Sequence, residues 1–148
     1  MPNPAARVRE LMGQGMLCAE SVLMAVAEAN NIHSELIPRV ATGLCAGMSR
    51  TGRLCGAFTG AILGISLCHG RDNAQKPYED TYPYVQDFIE RFETRFGHTD
   101  CTTLAGYDLS TPEGRVAFKH NNALAKCIEY AAQAASMACA AIDELDAD

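Results

Sequence analysis

Seven cysteines in a chain of 148 residues are the side chains best able to do chemistry here. Three of them fall in one stretch, Gly43 to Gly70 (GLCAGMSRTGRLCGAFTGAILGISLCHG). Its first half is irregular and glycine-rich, and its second half is apolar enough for a buried helix. That change of character puts Cys55 at or near a helix N-terminus, where unpaired backbone amides and the positive end of the helix dipole favour a thiolate over a thiol. Arg50 and Arg53 lie close in sequence and push the same way, so Cys55 is the predicted nucleophile. Asp100 reads as the N-cap of a short helical turn that opens at Cys101, a second thiol at a helix start. His98, close by, is a candidate base or ligand.

The same stretch carries a packing signal. Gly52, Gly56, Gly60 and Gly64 recur every four residues, and Cys68 continues the spacing, which on a helix is one stripe. Glycine in a helix interior costs about 1 kcal/mol against alanine, so repeated use implies that a backbone or ligand approaches that face. Phe58, Ile62 and Ile65 form a separate apolar stripe. The helix is predicted to be buried on most sides, with its glycines against the alanine-rich last helix.

These residues resemble a family of redox-active proteins named after a C, GCAxxG, C, C pattern, whose members share a CGAxxG motif. Here the motif reads Cys55-Gly56-Ala57-Phe58-Thr59-Gly60. The family's cysteine in the first helix is matched by Cys18 in LCAESVLMAV, and its two later ones by Cys101 in TDCTTLAG and Cys127 in LAKCIEYAAQ. The resemblance covers nearly the whole chain. It implies a helical protein with a thiol redox role and makes Cys18, Cys55, Cys101 and Cys127 the candidate catalytic set. Cys45, Cys68 and Cys139 stand outside the pattern, and Cys139 reads as core filler.

Two function classes follow. In the first, the chain is a thiol-disulfide oxidoreductase in which the four cysteines meet, one attacks and another resolves the mixed disulfide. It needs no cofactor and works with a redox partner protein or a small-molecule thiol or oxidant. No CxxC pair exists, so the site is not thioredoxin-like. In the second, the same four thiolates bind a metal ion or an iron-sulfur cluster; the number suits a tetrahedral site, although metal sites commonly use at least one close cysteine pair. Phosphate loops, a G-x-S-x-G elbow and an H-E-x-x-H pattern are absent from the sequence.

Bulk properties and helical spacing frame the site. A formal net charge of -6 and a pI near 5.1, with no basic run, argue against nucleic acid as a partner. The longest apolar stretch, Leu54 to Cys68, is too short to span a membrane. The opening residues lack the features of a secretory signal, which gives a cytoplasmic expectation, in keeping with abundant reduced thiols. The predicted fold is all-α, a single-domain bundle of five to seven helices over residues 1–148 with the glycine-striped helix at its centre. Helices are expected from Pro4 to Met12, through Cys18 to Ala29, from Ser34 to Thr42 and from Tyr84 to Phe96. A long last helix is expected to open at Thr111-Pro112-Glu113 and run past Ile142.

Overall fold

Local sequence signals start most of the helices seen in the computed structural model, which describes residues 3–148. Asn3 accepts a hydrogen bond from the Ala6 amide and opens α1 (Pro4–Gly13). Helix α2 runs Cys18–Ala29, and a 3-10 stretch, Arg39–Leu44, leads into a short segment α3 (Cys45–Arg50). Helix α4 is Gly56–His69 and α5 is Tyr82–Phe96, stopped by Gly97 at φ +77°. Asp100 caps α6 (Cys101–Ala105), and Thr111 caps α7 (Pro112–His120). Helix α8 spans Leu124–Asp146. The only sheet-like pairing among the described residues is one antiparallel bridge between Leu54 and Asp100. The all-α expectation is met: the described residues form seven right-handed α-helices and one segment, α3, of the opposite hand.

Helix α4 lies between α2 and α8. Phe58 packs edge-on against Phe92 at 5.2 Å between ring centroids, and Phe88 and Phe92 of α5 are wholly buried. Each such ring contributes about 2–3 kcal/mol by leaving water. Ala131, Ala134, Ala135, Ala138 and Ile142 form the buried face of α8.

Three expectations are corrected. The glycine stripe of α4 faces α2, not α8. A Cβ at Gly60 would sit 2.7 Å from the Ala19 carbonyl oxygen, and one at Gly64 2.8 Å from Val26. Backbone meets backbone there, whereas α8 reaches α4 through its small alanines. The segment from Ser34 to Thr42 is not an α-helix: Ser34 Oγ accepts from the Leu36 amide in a turn, and Pro38, lacking an N–H and disfavouring helix before it, leaves only the 3-10 stretch. The long last helix is two helices, broken where Asn122 adopts φ +52°, a left-handed conformation that asparagine tolerates better than most residues.

Segment α3 is a left-handed turn. Ala46, Gly47, Met48, Ser49 and Arg50 all have φ between +56° and +68°. For the four that are not glycine this costs on the order of 4–8 kcal/mol in total. Local bonds hold the turn: Ser49 Oγ donates to the Gly43 carbonyl (2.8 Å) and Thr51 Oγ1 to the Gly47 carbonyl (3.0 Å). Gly47 is required by contact as well as by dihedral, because a Cβ there would lie 2.5 Å from Cys101 Cβ.

Candidate functional site

The four cysteines singled out from the sequence, Cys18, Cys55, Cys101 and Cys127, line one cavity of about 630 Å3. Each arrives from a different element. Cys18 is the first residue of α2, Cys55 is the N-cap of α4, Cys101 opens α6, and Cys127 lies in the first turns of α8. The Leu54–Asp100 bridge joins two of them: the Cys55 amide donates to the Thr99 carbonyl (2.8 Å) and the Cys101 amide to the Arg53 carbonyl (2.7 Å). Gly56 brings a third close, since a Cβ at that position would meet Cys18 Sγ at 2.3 Å. All seven cysteines are free thiols.

Electrostatics separates these thiols. The Cys18 thiol is pulled below its ordinary value, chiefly by its hydrogen-bonding interaction with the Cys45 thiol, with help from the amides of Ala46, Ala19 and Cys18 itself against the opposing effect of burial. The N-cap of α2 is Leu17, whose side chain cannot take up the first amides of the helix. Sulfur occupies that place instead. Glu20 fixes the register, accepting from the Leu17 amide (3.0 Å) and from Thr42 Oγ1 (2.6 Å). The second bond ties the 3-10 stretch, and Cys45 after it, to the start of α2.

Cys55 does sit at a helix start, yet its thiol is pushed up to about 12, first by burial and then by the charge on Cys18, which together outweigh the amides of Ala57 and Phe58. Arg53 does not aid it; its guanidinium donates to the Thr51 carbonyl. A desolvated thiolate at Cys55 costs more than the helix start returns, so the lowered thiol of the set is Cys18 and not Cys55. Cys101 is pushed up to about 11 by burial, by Cys18 and by the capping carboxylate of Asp100. Asp100 spends the helix-start amide on its own side chain, accepting from the Thr103 amide at 2.9 Å. Burial raises Cys127 to about 12.

Sequence reasoning missed two parts of this arrangement. Cys45 stands outside the family pattern, but it is 3% exposed, lies 3.6 Å from the Ala41 carbonyl oxygen, and its thiol is pushed up first by its interaction with Cys18 and then by burial. The outer wall of the cavity, with Arg115, Val116, Phe118 and Lys119 of α7, was hidden by reading α7 and α8 as one helix. Asn121-Asn122 was the available signal. His98 lies outside the cavity lining. Among the described residues, no group of three or more His, Cys, Asp or Glu side chains is placed to hold a metal ion, and no helix is long and apolar enough to cross a membrane.

The family model described as "Putative redox-active protein (C_GCAxxG_C_C)" matches residues 16–141. The chain belongs to this family. All four cavity cysteines fall inside the matched span. An "Uncharacterized protein" of Archaeoglobus fulgidus is 30% identical over 135 residues, covering 84% of this chain and 83% of its own. No solved structure matches the chain.

Proposed function

We propose that this member of the redox-active family carries out thiol-disulfide exchange at the cavity, with Cys18 as the attacking thiolate. The observation that supports it best is the placement of Cys18 at the first position of α2, where amides from two segments and the Cys45 thiol converge on one sulfur that lines the cavity. A lowered thiol is more ionised at neutral pH than its neighbours yet keeps useful nucleophilicity, since attack rates weigh thiolate fraction against basicity.

The exchange has two steps. Cys18 attacks one sulfur of an oxidised substrate, breaking its S–S bond, forming a mixed disulfide and releasing one substrate thiolate. A second protein thiol then loses its proton to solvent and attacks Cys18 Sγ, releasing the second substrate thiolate and leaving an internal disulfide. Two electrons pass from the protein to the disulfide. Cys45 is the first resolving candidate, because it interacts directly with Cys18, and Cys55 is the second, because its thiol feels the Cys18 charge. Cys101 and Cys127, which also feel that charge, extend the exchange to a further pair.

Mild oxidation of the reduced protein with a small disulfide, followed by digestion under acid and mapping of linked peptides, tests this. The expected product links Cys18 to Cys45 or to one of the cavity cysteines Cys55, Cys101 and Cys127, and Cys18→Ser removes it. Products that never contain Cys18 would end the reading. Stoichiometric metal in protein purified without oxygen, with Cys18 alkylated only after chelation, would instead favour the same thiolates as ligands.

A further inference from the structure

The cavity also carries a charge pattern unlike the rest of the molecule. The chain has 18 acidic residues against 12 basic ones, yet Arg50, Arg115 and Lys119 line the cavity and no Asp or Glu does. Elsewhere Arg7 pairs with Glu10 and Glu28, Arg9 with Glu129, Lys76 with Asp72, and Arg91 with Asp87 and Glu144, while other cations such as Arg39 and Arg95 stand singly among the described residues. The cavity differs in gathering three cations on one apolar lining without an acid. None of the three cavity cations has a carboxylate within ion-pair distance among the described residues. Arg115 is oriented by its bond to the Leu109 carbonyl (2.9 Å), which leaves most of its donors free. Between these cations and Cys18 the walls are apolar, and Val116 and Leu17 stand at the mouth 69% and 48% exposed.

From this arrangement, which rests on the exchange reading above, we propose that the cavity selects a small-molecule disulfide bearing carboxylates, with its apolar body against Leu17 and Val116 and its anionic groups on Arg50, Arg115 and Lys119. The volume, about 630 Å3, lies within the ~300–1,000 Å3 range of small-ligand sites. Three like charges at the rim of an apolar cleft concentrate an anion there and repel a cation, an effect on the order of tenfold or more in rate that fades with salt. The same cations offset the negative charge released when the first substrate thiolate leaves.

The test compares two chromogenic aromatic disulfides, 5,5′-dithiobis(2-nitrobenzoate), a dianion, and 2,2′-dithiodipyridine, which is neutral. Each is reacted with the reduced protein and with a free cysteine-containing peptide as reference. The readout is the ratio of the two second-order rate constants, which cancels changes common to both reagents. The protein's ratio is expected to exceed the peptide's by tenfold or more. It should approach the peptide's value in Arg50→Gln, Arg115→Gln, Lys119→Gln combined, and raised salt should slow only the dianion. If Arg115→Gln disturbs folding, the exposed pair Arg50→Gln and Lys119→Gln carries the test, with a partial fall expected. A ratio equal to the peptide's, or one untouched by the substitutions, overturns the selectivity while leaving the exchange reading in place. Failure of both reagents to modify Cys18 defeats the exchange reading and the selectivity with it.

Discussion

The two ends of α4 hold cysteines in similar seclusion and in opposite electrostatic company. At its start, Cys55 and the neighbouring Cys18 lie among free amides of two helix N-termini. At its end, Cys68 sits in the last turn, where the helix dipole is negative, and packs with Cys139 of α8 in the main core. Both of these thiols are pushed up to about 11, Cys68 by burial and Asp146, Cys139 by burial, Asp143 and Cys68. Asp146 is held there by Tyr84, whose hydroxyl donates to it at 2.7 Å, and by His69 at 3.2 Å. Burial alone therefore does not make a cysteine reactive or inert. Only Cys18 has a thiol partner and enough amides to overcome desolvation.

Alkylation rates test the contrast most sharply. At pH 7 a thiol near 11 is ionised to about one part in 10⁴, whereas the lowered thiol is far more ionised; the weaker nucleophilicity of the less basic thiolate offsets part of that gain. Cys18 is thus expected to react with iodoacetamide faster than Cys139 by about tenfold or more, as read by peptide mapping. Comparable rates at the two residues would erase the distinction between the ends. Gly56→Ala should then blunt the advantage of Cys18, since the added methyl must displace its sulfur, and should leave Cys68 as slow as before.

Stability measurements probe the same contrast less strongly. Gly60→Ala drives a methyl into the Ala19 backbone and should cost about 1–3 kcal/mol in a denaturant melt; an unchanged midpoint would mean that the two helices do not meet there. The pH profile should fall on the alkaline side. Cys55 and Cys127 near 12, and Cys68, Cys101 and Cys139 near 11, keep their protons in the fold and release them at about 9.0 once unfolded. Their contribution is full below pH 9 and is lost as pH rises through 11 and 12. Cys18 acts in the opposite sense: its contribution is present above about 9, the ordinary thiol value, and is lost as pH falls through its lowered one. A melt that strengthens between pH 9 and 10.5 would contradict the raised values. The smallest effect belongs to Asp146→Asn, which removes a charge that opposes ionisation of Cys68 and should speed its labelling a few-fold while leaving Cys18 unaffected.

The helices were legible wherever one physical signal dominated. Asp100 and Thr111 announce starts through their own side chains, and the four-residue glycine spacing announces a buried α4. The partner of that stripe was not legible, because alanines on α8 and the backbone of α2 near Ala19 both suit close approach and only assembly decides between them. The cysteine set was readable from motif and placement, but the ranking within it was not. Helix starts at Cys18, Cys55 and Cys101 look alike in sequence; what separates them is how deeply each sulfur is buried and whether Asp100 or Cys45 is its neighbour. Cys45 itself comes to Cys18 through the Glu20–Thr42 hydrogen bond, a contact between residues 22 apart that no local pattern displays.

The left-handed turn from Ala46 to Arg50, whose first amide points at Cys18, has a stereochemical consequence. Mirror symmetry makes its dihedrals those that a D-amino acid prefers, so the steric objection that L-residues meet there reverses sign. In a chemically synthesised chain, D-alanine at Ala46 or D-serine at Ser49 should be accommodated without loss of fold, whereas D-alanine at Ala57, inside right-handed α4, should disrupt it. Chirality thus marks, residue by residue, a stretch of backbone that runs against the hand of its helices and carries an amide to Cys18.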